Sequence, residues 1–135
     1  MTAPLIQVNR QKITEPHIGF MTMVKHNHNL TASRMYTVDV NKIDLDGFTP
    51  LYWAVTHHNM HNLELLMYFG ATLEVSKNKN ALFYAIECDN IEALKYFVEK
   101  GIEKNITRTN ASGDTYTLLE YAQRLKRERI TKYLK

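Results

Sequence analysis

The chain has 135 residues, a formal net charge of +3, 44% hydrophobic and 23% charged residues, the balance of one globular domain able to bury roughly two thirds of its unfolded surface unaided. Mean hydropathy is −0.37, and no run of about 18 apolar residues occurs, which excludes a membrane-spanning helix. The single cysteine, Cys88, excludes an internal disulfide framework and fits a reducing compartment, while five glycines and three prolines exclude collagen-like and low-complexity chains.

In chain order, Met1-Thr2-Ala3-Pro4-Leu5-Ile6-Gln7 does not have the basic-then-apolar pattern of a Sec signal peptide. Thr14-Glu15-Pro16 opens a predicted helix through Met23-Val24-Lys25, and a second is expected from Asn29-Leu30 to Tyr36. Thr49 is placed to cap a helix whose first turn holds Pro50, where the missing N–H costs nothing. The chain then repeats itself. Residues 49–71 align without gaps on 80–102, an offset of 31 residues. Leu51 falls on Leu82, Ala54 on Ala85, Asn59 on Asn90, Leu66 on Phe97 and Gly70 on Gly101. A third copy starts at Thr117-Leu118-Leu119-Glu120-Tyr121-Ala122 and resumes at Ile130-Thr131-Lys132-Tyr133-Leu134.

Each unit reads as two short helices and a turn. The first helix ends near His57-His58-Asn59 and near Cys88-Asp89-Asn90; Asp89-Asn90-Ile91-Glu92 has the form of a capping box. Gly70 and Gly101 stand where a helix stops in a left-handed cap. Helices of about 10 residues cannot bury their apolar faces alone, whereas stacked copies can, which predicts an all-α solenoid. The predicted core is Leu51, Ala54, Leu63, Leu66, Leu82, Ala85, Leu94, Phe97, Leu119, Ala122, Ile130 and Leu134. Two columns of large side chains fall in phase: Trp53, Tyr84 and Tyr121, and Leu65, Tyr96 and Tyr133. Packing between units is the expected role, and an aromatic binding platform the alternative.

Asp44-Leu45-Asp46-Gly47-Phe48-Thr49-Pro50-Leu51, followed by Ala54, Leu65-Leu66 and Gly70-Ala71, resembles an ankyrin repeat. Residues 44–74 carry the full pattern. Residues 75–107 keep the helix and glycine positions but have Ser76-Lys77-Asn78-Lys79-Asn80 in place of the Gly-x-Thr-Pro entry. Residues 113–135 form a short C-terminal capping repeat with a two-residue insertion, and 13–41 a divergent N-terminal capping unit. The resemblance implies an ankyrin-type solenoid with hairpin-like fingers. It also implies a monomeric, non-catalytic module that binds another protein through turn tips and the inner face of the first helices. Carried onto this chain, that surface is Leu45, Asp46, Phe48, Thr56 and His57; then Ser76, Lys77, Lys79, Glu87 and Cys88; then Tyr116, Arg124 and Leu125. Leu45 and Phe48, taken as exposed, would form a hot spot with a polar rim. Small stand-alone proteins of this kind resemble bacterial or viral effectors and immunity proteins. The expected location is the cytoplasm, or a host cell reached by a non-Sec route.

No catalytic residue, cofactor, metal or small-molecule substrate is expected. His57, His58 and His61 form a His-His-x-x-His group, but the predicted inter-helix turn falls inside it and no Glu is placed to act as base. Metal binding through it stays an alternative. Cys88 lies between Glu87 and Asp89, which oppose thiolate formation. Residues 120–135 hold six basic and two acidic side chains, a net +4, against −1 for the rest of the chain. A charged outer face of the last helical pair is the default. Nucleic-acid or anionic-surface binding is the alternative, disfavoured because Glu128 interrupts the cations.

Overall fold

The computed structural model describes residues 19–135, whose helices fall into four consecutive pairs. They are α1 (residues 19–25) with α2 (Ala32–Met35), α3 (Pro50–Thr56) with α4 (Met60–Tyr68), α5 (Ala81–Glu87) with α6 (Ile91–Glu99), and α7 (Leu118–Arg124) with α8 (Glu128–Leu134). First helices pack on first helices, α3 on α5 on α7, and α4 packs on α6. Two antiparallel hairpins project on the first-helix side: β1 (Glu74–Ser76) with β2 (Lys79–Asn80), and β3 (Thr107–Thr109) with β4 (Thr115–Thr117). Residues 13–18, including the expected helix start at Thr14-Glu15-Pro16, lie outside the described residues.

Local chemistry sets these boundaries. Thr49 caps α3, Asn80 caps α5 and Thr117 caps α7, each side chain accepting a hydrogen bond from a backbone N–H of the first turn. Thr117 and Glu120 complete a capping box. The box expected at Asp89 is corrected. The cap of α6 is Asn90, which accepts from Ala93 N at 3.0 Å, while Asp89 sits in the left-handed region at φ 53°. That conformation recurs between the helices of every pair, at Asn27, His58, Asp89 and Lys126. The next residue's N–H then reaches back to a carbonyl five residues earlier, as Asn59 to Ala54 (3.0 Å), Asn90 to Ala85 (2.7 Å) and Arg127 to Ala122 (2.9 Å). Gly70 and Gly101, at φ 97° and 84°, end α4 and α6 in the same way. Helix α2 is a single turn, shorter than the Asn29–Tyr36 expectation.

The core runs along the stack. All six residues from Ala81 to Ile86 are buried, because α5 has a unit on either side. Ten of the twelve predicted core residues are buried; Leu119 and Leu134 are only half-buried, because no further described unit covers α7 and α8. The N-terminal pair contributes Phe20, Val24, Leu30 and Met35. The predicted aromatic columns do not form as expected. Tyr84 stacks on Tyr52 (4.4 Å between ring centres), not on Trp53, and Tyr121 packs edge-on against Phe83 (5.3 Å). Leu65, Tyr96 and Tyr133 are half-buried against the core, with Lys95 over the Tyr133 ring.

Candidate partner-binding surface

The first finger tip is a turn built by Asp44. Its Oδ1 accepts from Asp46 N (2.9 Å) and Phe48 N (3.0 Å), its N–H donates to Phe48 O (2.9 Å), and Gly47 N donates back to Asp44 O (3.0 Å). Trp53 Nε1 donates to Asp44 Oδ2 at 2.9 Å and anchors the turn to α3. Leu45 at the tip is fully exposed, and Asp46 beside it lies 4.0 Å from Lys25 Nζ. Phe48 differs from expectation. It is half-buried, stacked on Tyr52 at 3.8 Å between ring centres and edge-on to Trp53. The aromatic pairs reward that tuck more than exposure would. The third finger repeats the turn with Asn110, whose Oδ1 accepts from Ser112 N and Asp114 N, both at 2.9 Å. In the second finger the turn shrinks to Lys77-Asn78, with Asn78 left-handed and Lys77 exposed between half-buried Ser76 and Lys79.

Between the second and third fingers the structure gathers residues from four elements around Glu87. Glu87 Oε1 accepts from Lys79 Nζ at 3.1 Å; Oε2 accepts from Arg108 Nη1 at 3.1 Å and from the Tyr121 hydroxyl at 2.9 Å. Each cation also covers a ring: Lys79 over Tyr84, Arg108 over Tyr121, and Arg124 over Tyr116 at 5.2 Å. Burial, then the hydrogen bond to and charge of Glu87, push the Tyr121 phenol up to about 12. Burial raises the Tyr84 phenol far above its ordinary range and likewise raises the Cys88 thiol, so this half-buried thiol is held protonated. Thr56 is committed inward: its hydroxyl donates to Tyr52 O at 2.8 Å and pairs with the Tyr84 hydroxyl. Leu125 caps α7 and packs against the core.

The histidines do other work. A carbonyl only accepts, so His57 Nε2–H donates to Lys25 O and His61 Nε2–H to Leu30 O, each at 2.7 Å. Asn62, buried, donates to His28 O (2.9 Å) and accepts from Leu30 N (2.8 Å). Together they fasten the N-terminal pair to α3 and α4. His58 is exposed in the turn between the helices, and among the described residues no three His, Cys, Asp or Glu side chains are grouped to hold a metal ion.

The basic C-terminal segment is also less free than its sequence implies. Arg127 Nε donates to Ile86 O (3.0 Å) and Nη2 to Glu87 O (2.6 Å), so this cation joins the last pair to α5. It stands in the place of Asn90, which donates to Val55 O of the preceding unit.

Sequence reasoning missed Arg108, Asn62 and the role of Arg127. The matched Thr107-Arg108-Thr109 and Thr115-Tyr116-Thr117 runs carry a strand signal for the hairpin that presents Arg108. Asn62 and Arg127 make contacts across 32 to 41 residues, with no local pattern to reveal them.

Paired short helices, left-handed C-caps and fingers on one side define a helical repeat stack. Residues 20–108 match the family model for ankyrin repeats (3 copies), and the chain belongs to the ankyrin repeat family. It is also similar to a fowlpox virus ankyrin repeat protein, 25% identical over 117 residues that span 87% of this chain and 80% of the relative. Ankyrin repeats are generally protein–protein interaction modules, and the family is typically non-catalytic. No helix among the described residues is long and apolar enough to cross a membrane.

Proposed function

We propose that this protein is a non-catalytic binding module that engages a protein partner through its finger tips and the inner face of α3, α5 and α7. The observation that carries the reading is Leu45, an apolar side chain left fully exposed on a turn whose backbone is fixed by four hydrogen bonds around Asp44. A pre-ordered apolar anchor loses little entropy on binding, which is how a small contact gains affinity. Asp46, Lys77, Tyr116 and Arg124 are the polar rim around it and along the inner face. Thr56, His57 and Cys88 support that face from below, and Phe48 contributes its ring edge. The viral relative favours a protein that acts on host or rival proteins, in the cytoplasm of the cell that makes it or inside a host cell.

Photo-crosslinking residues placed at Leu45 and Lys77 are expected to trap a discrete protein in host or self lysates. The same residue at Glu99, exposed at the end of α6, is expected to trap none. Equal labelling from all three positions would sink the inner-face reading.

A further inference from the structure

We infer that the segment the inner face receives is acidic, with a carboxylate seated by Arg124 on the Tyr116 ring and by Arg108 on the neighbouring strand; this rests on the inner-face reading above. The chain itself displays the chemistry. Lys79 from β2, Arg108 from β3 and Tyr121 from α7 direct donors at one carboxylate, Glu87. Those donors are far from exhausted. An ammonium carries three N–H groups and a guanidinium five, and Glu87 takes one from each cation.

The cations are also neighbours along one hairpin face. Arg108 and Tyr116 are directly opposed in the β3–β4 hairpin, which puts both side chains on one face of the sheet. Arg124 is exposed and lies on the Tyr116 ring, donating to none of the described residues. Stacking on a ring leaves the edge of a guanidinium free, and that edge matches a carboxylate bidentately. Lys79, Arg108 and Arg124 set three cations beside the one carboxylate of Glu87, which pairs with only the first two. Glu120, on the same helix as Arg124, is engaged at its own cap by Thr117 N (2.9 Å). A single-stranded nucleic acid fits less well. Tyr84, Tyr116 and Tyr121 already carry a cation over the ring, where base stacking needs open faces.

The test is a fluorescence-anisotropy titration of the full chain near physiological salt. The probes are a labelled peptide of alternating Glu and Leu, its Gln-for-Glu counterpart, and oligothymidine. The Glu peptide is expected to bind about tenfold more tightly than the Gln peptide, and Arg124→Gln to remove about that factor. Lys135→Gln, on the last helical pair, is expected to change nothing. Arg124 is exposed, so an unchanged melting curve for Arg124→Gln separates lost contact from lost fold. Equal binding of the two peptides, tighter binding of oligothymidine, or an equal loss in Lys135→Gln would overturn the inference. Crosslinking from Leu45 and Lys77 with no preference for the Glu peptide would leave the surface standing and remove only its acidic partner. Failure of the crosslinking would remove the surface itself.

Discussion

Two joints in this stack both bury apolar side chains but differ in how much polar bonding crosses them. The N-terminal pair is held to α3 and α4 by directed polar contacts: buried Asn62 with both amide atoms used, His57 and His61 on backbone carbonyls, and Asn59 Nδ2 donating to the Asn27 and Asn29 side chains at 3.0 and 3.1 Å. The joint between α3/α4 and α5/α6 buries Leu51, Ala54, Val55, Leu82, Ala85 and Ile86, with Asn90 to Val55 O as its buried polar tie. The position of Asn62 in one unit is held by Ala93 in the next, buried and apolar. An apolar joint gains stability in proportion to area and tolerates small shifts. A polar joint contributes little net energy when satisfied but costs its full desolvation when any partner is displaced. Specificity for one neighbour is therefore concentrated at the N-terminal joint, and cohesion in the middle.

The largest effect expected is at the centre. Phe97→Ala, at a fully buried ring, should cost about 3–5 kcal/mol, read as a lower denaturant midpoint with unchanged slope. A loss under about 1 kcal/mol would mean that the apolar stack is not what holds the molecule. Next comes Asn62→Ala, which orphans Leu30 N–H and His28 C=O at the joint and should cost about 2–4 kcal/mol. Hydrogen exchange should speed up in residues 19–41 while α5 and α6 keep their protection. Equal acceleration in α6 would break the distinction between the joints. Smallest is His58→Gly, which relieves a left-handed residue at φ 54° and should stabilise by about 0.5 kcal/mol after the added unfolded-state entropy is subtracted. Asp89→Gly at the apolar joint should gain the same amount. Destabilisation at His58 alone would show that its side chain belongs to the polar joint.

The repeat was legible because its signals are local. Thr49-Pro50-Leu51, Ala54, Leu66 and Gly70 speak for caps, a buried face and a stop within one unit, and the 31-residue offset repeats Leu51, Ala54 and Gly70 as Leu82, Ala85 and Gly101. The finger tip at Leu45 was legible for the same reason, since Asp44 bonds its own neighbours. Phe48 was misplaced because its burial depends on Tyr52 and Trp53, one helical turn beyond the finger. Asn62, Arg108 and Arg127 were illegible because each is defined by a partner in another unit. A polar residue on a buried face looks like an interruption until its acceptor is known. Arg127 illustrates the cost of reading charge by composition: among six cations near the end of the chain, it is bound to backbone carbonyls.

The six-residue buried run of α5 carries a kinetic meaning. Contacts in a stack are made with adjacent units, so loops closed during folding are short and the chain need not search for distant partners. The segment that gains most from its first neighbour is the one with apolar surface on both sides, and that is Ala81–Ile86. The α5–α6 hairpin is thus the expected nucleus, with order spreading outward along the chain in both directions. The N-terminal pair, whose polar ties gain little until every partner is in place, is expected to lock last.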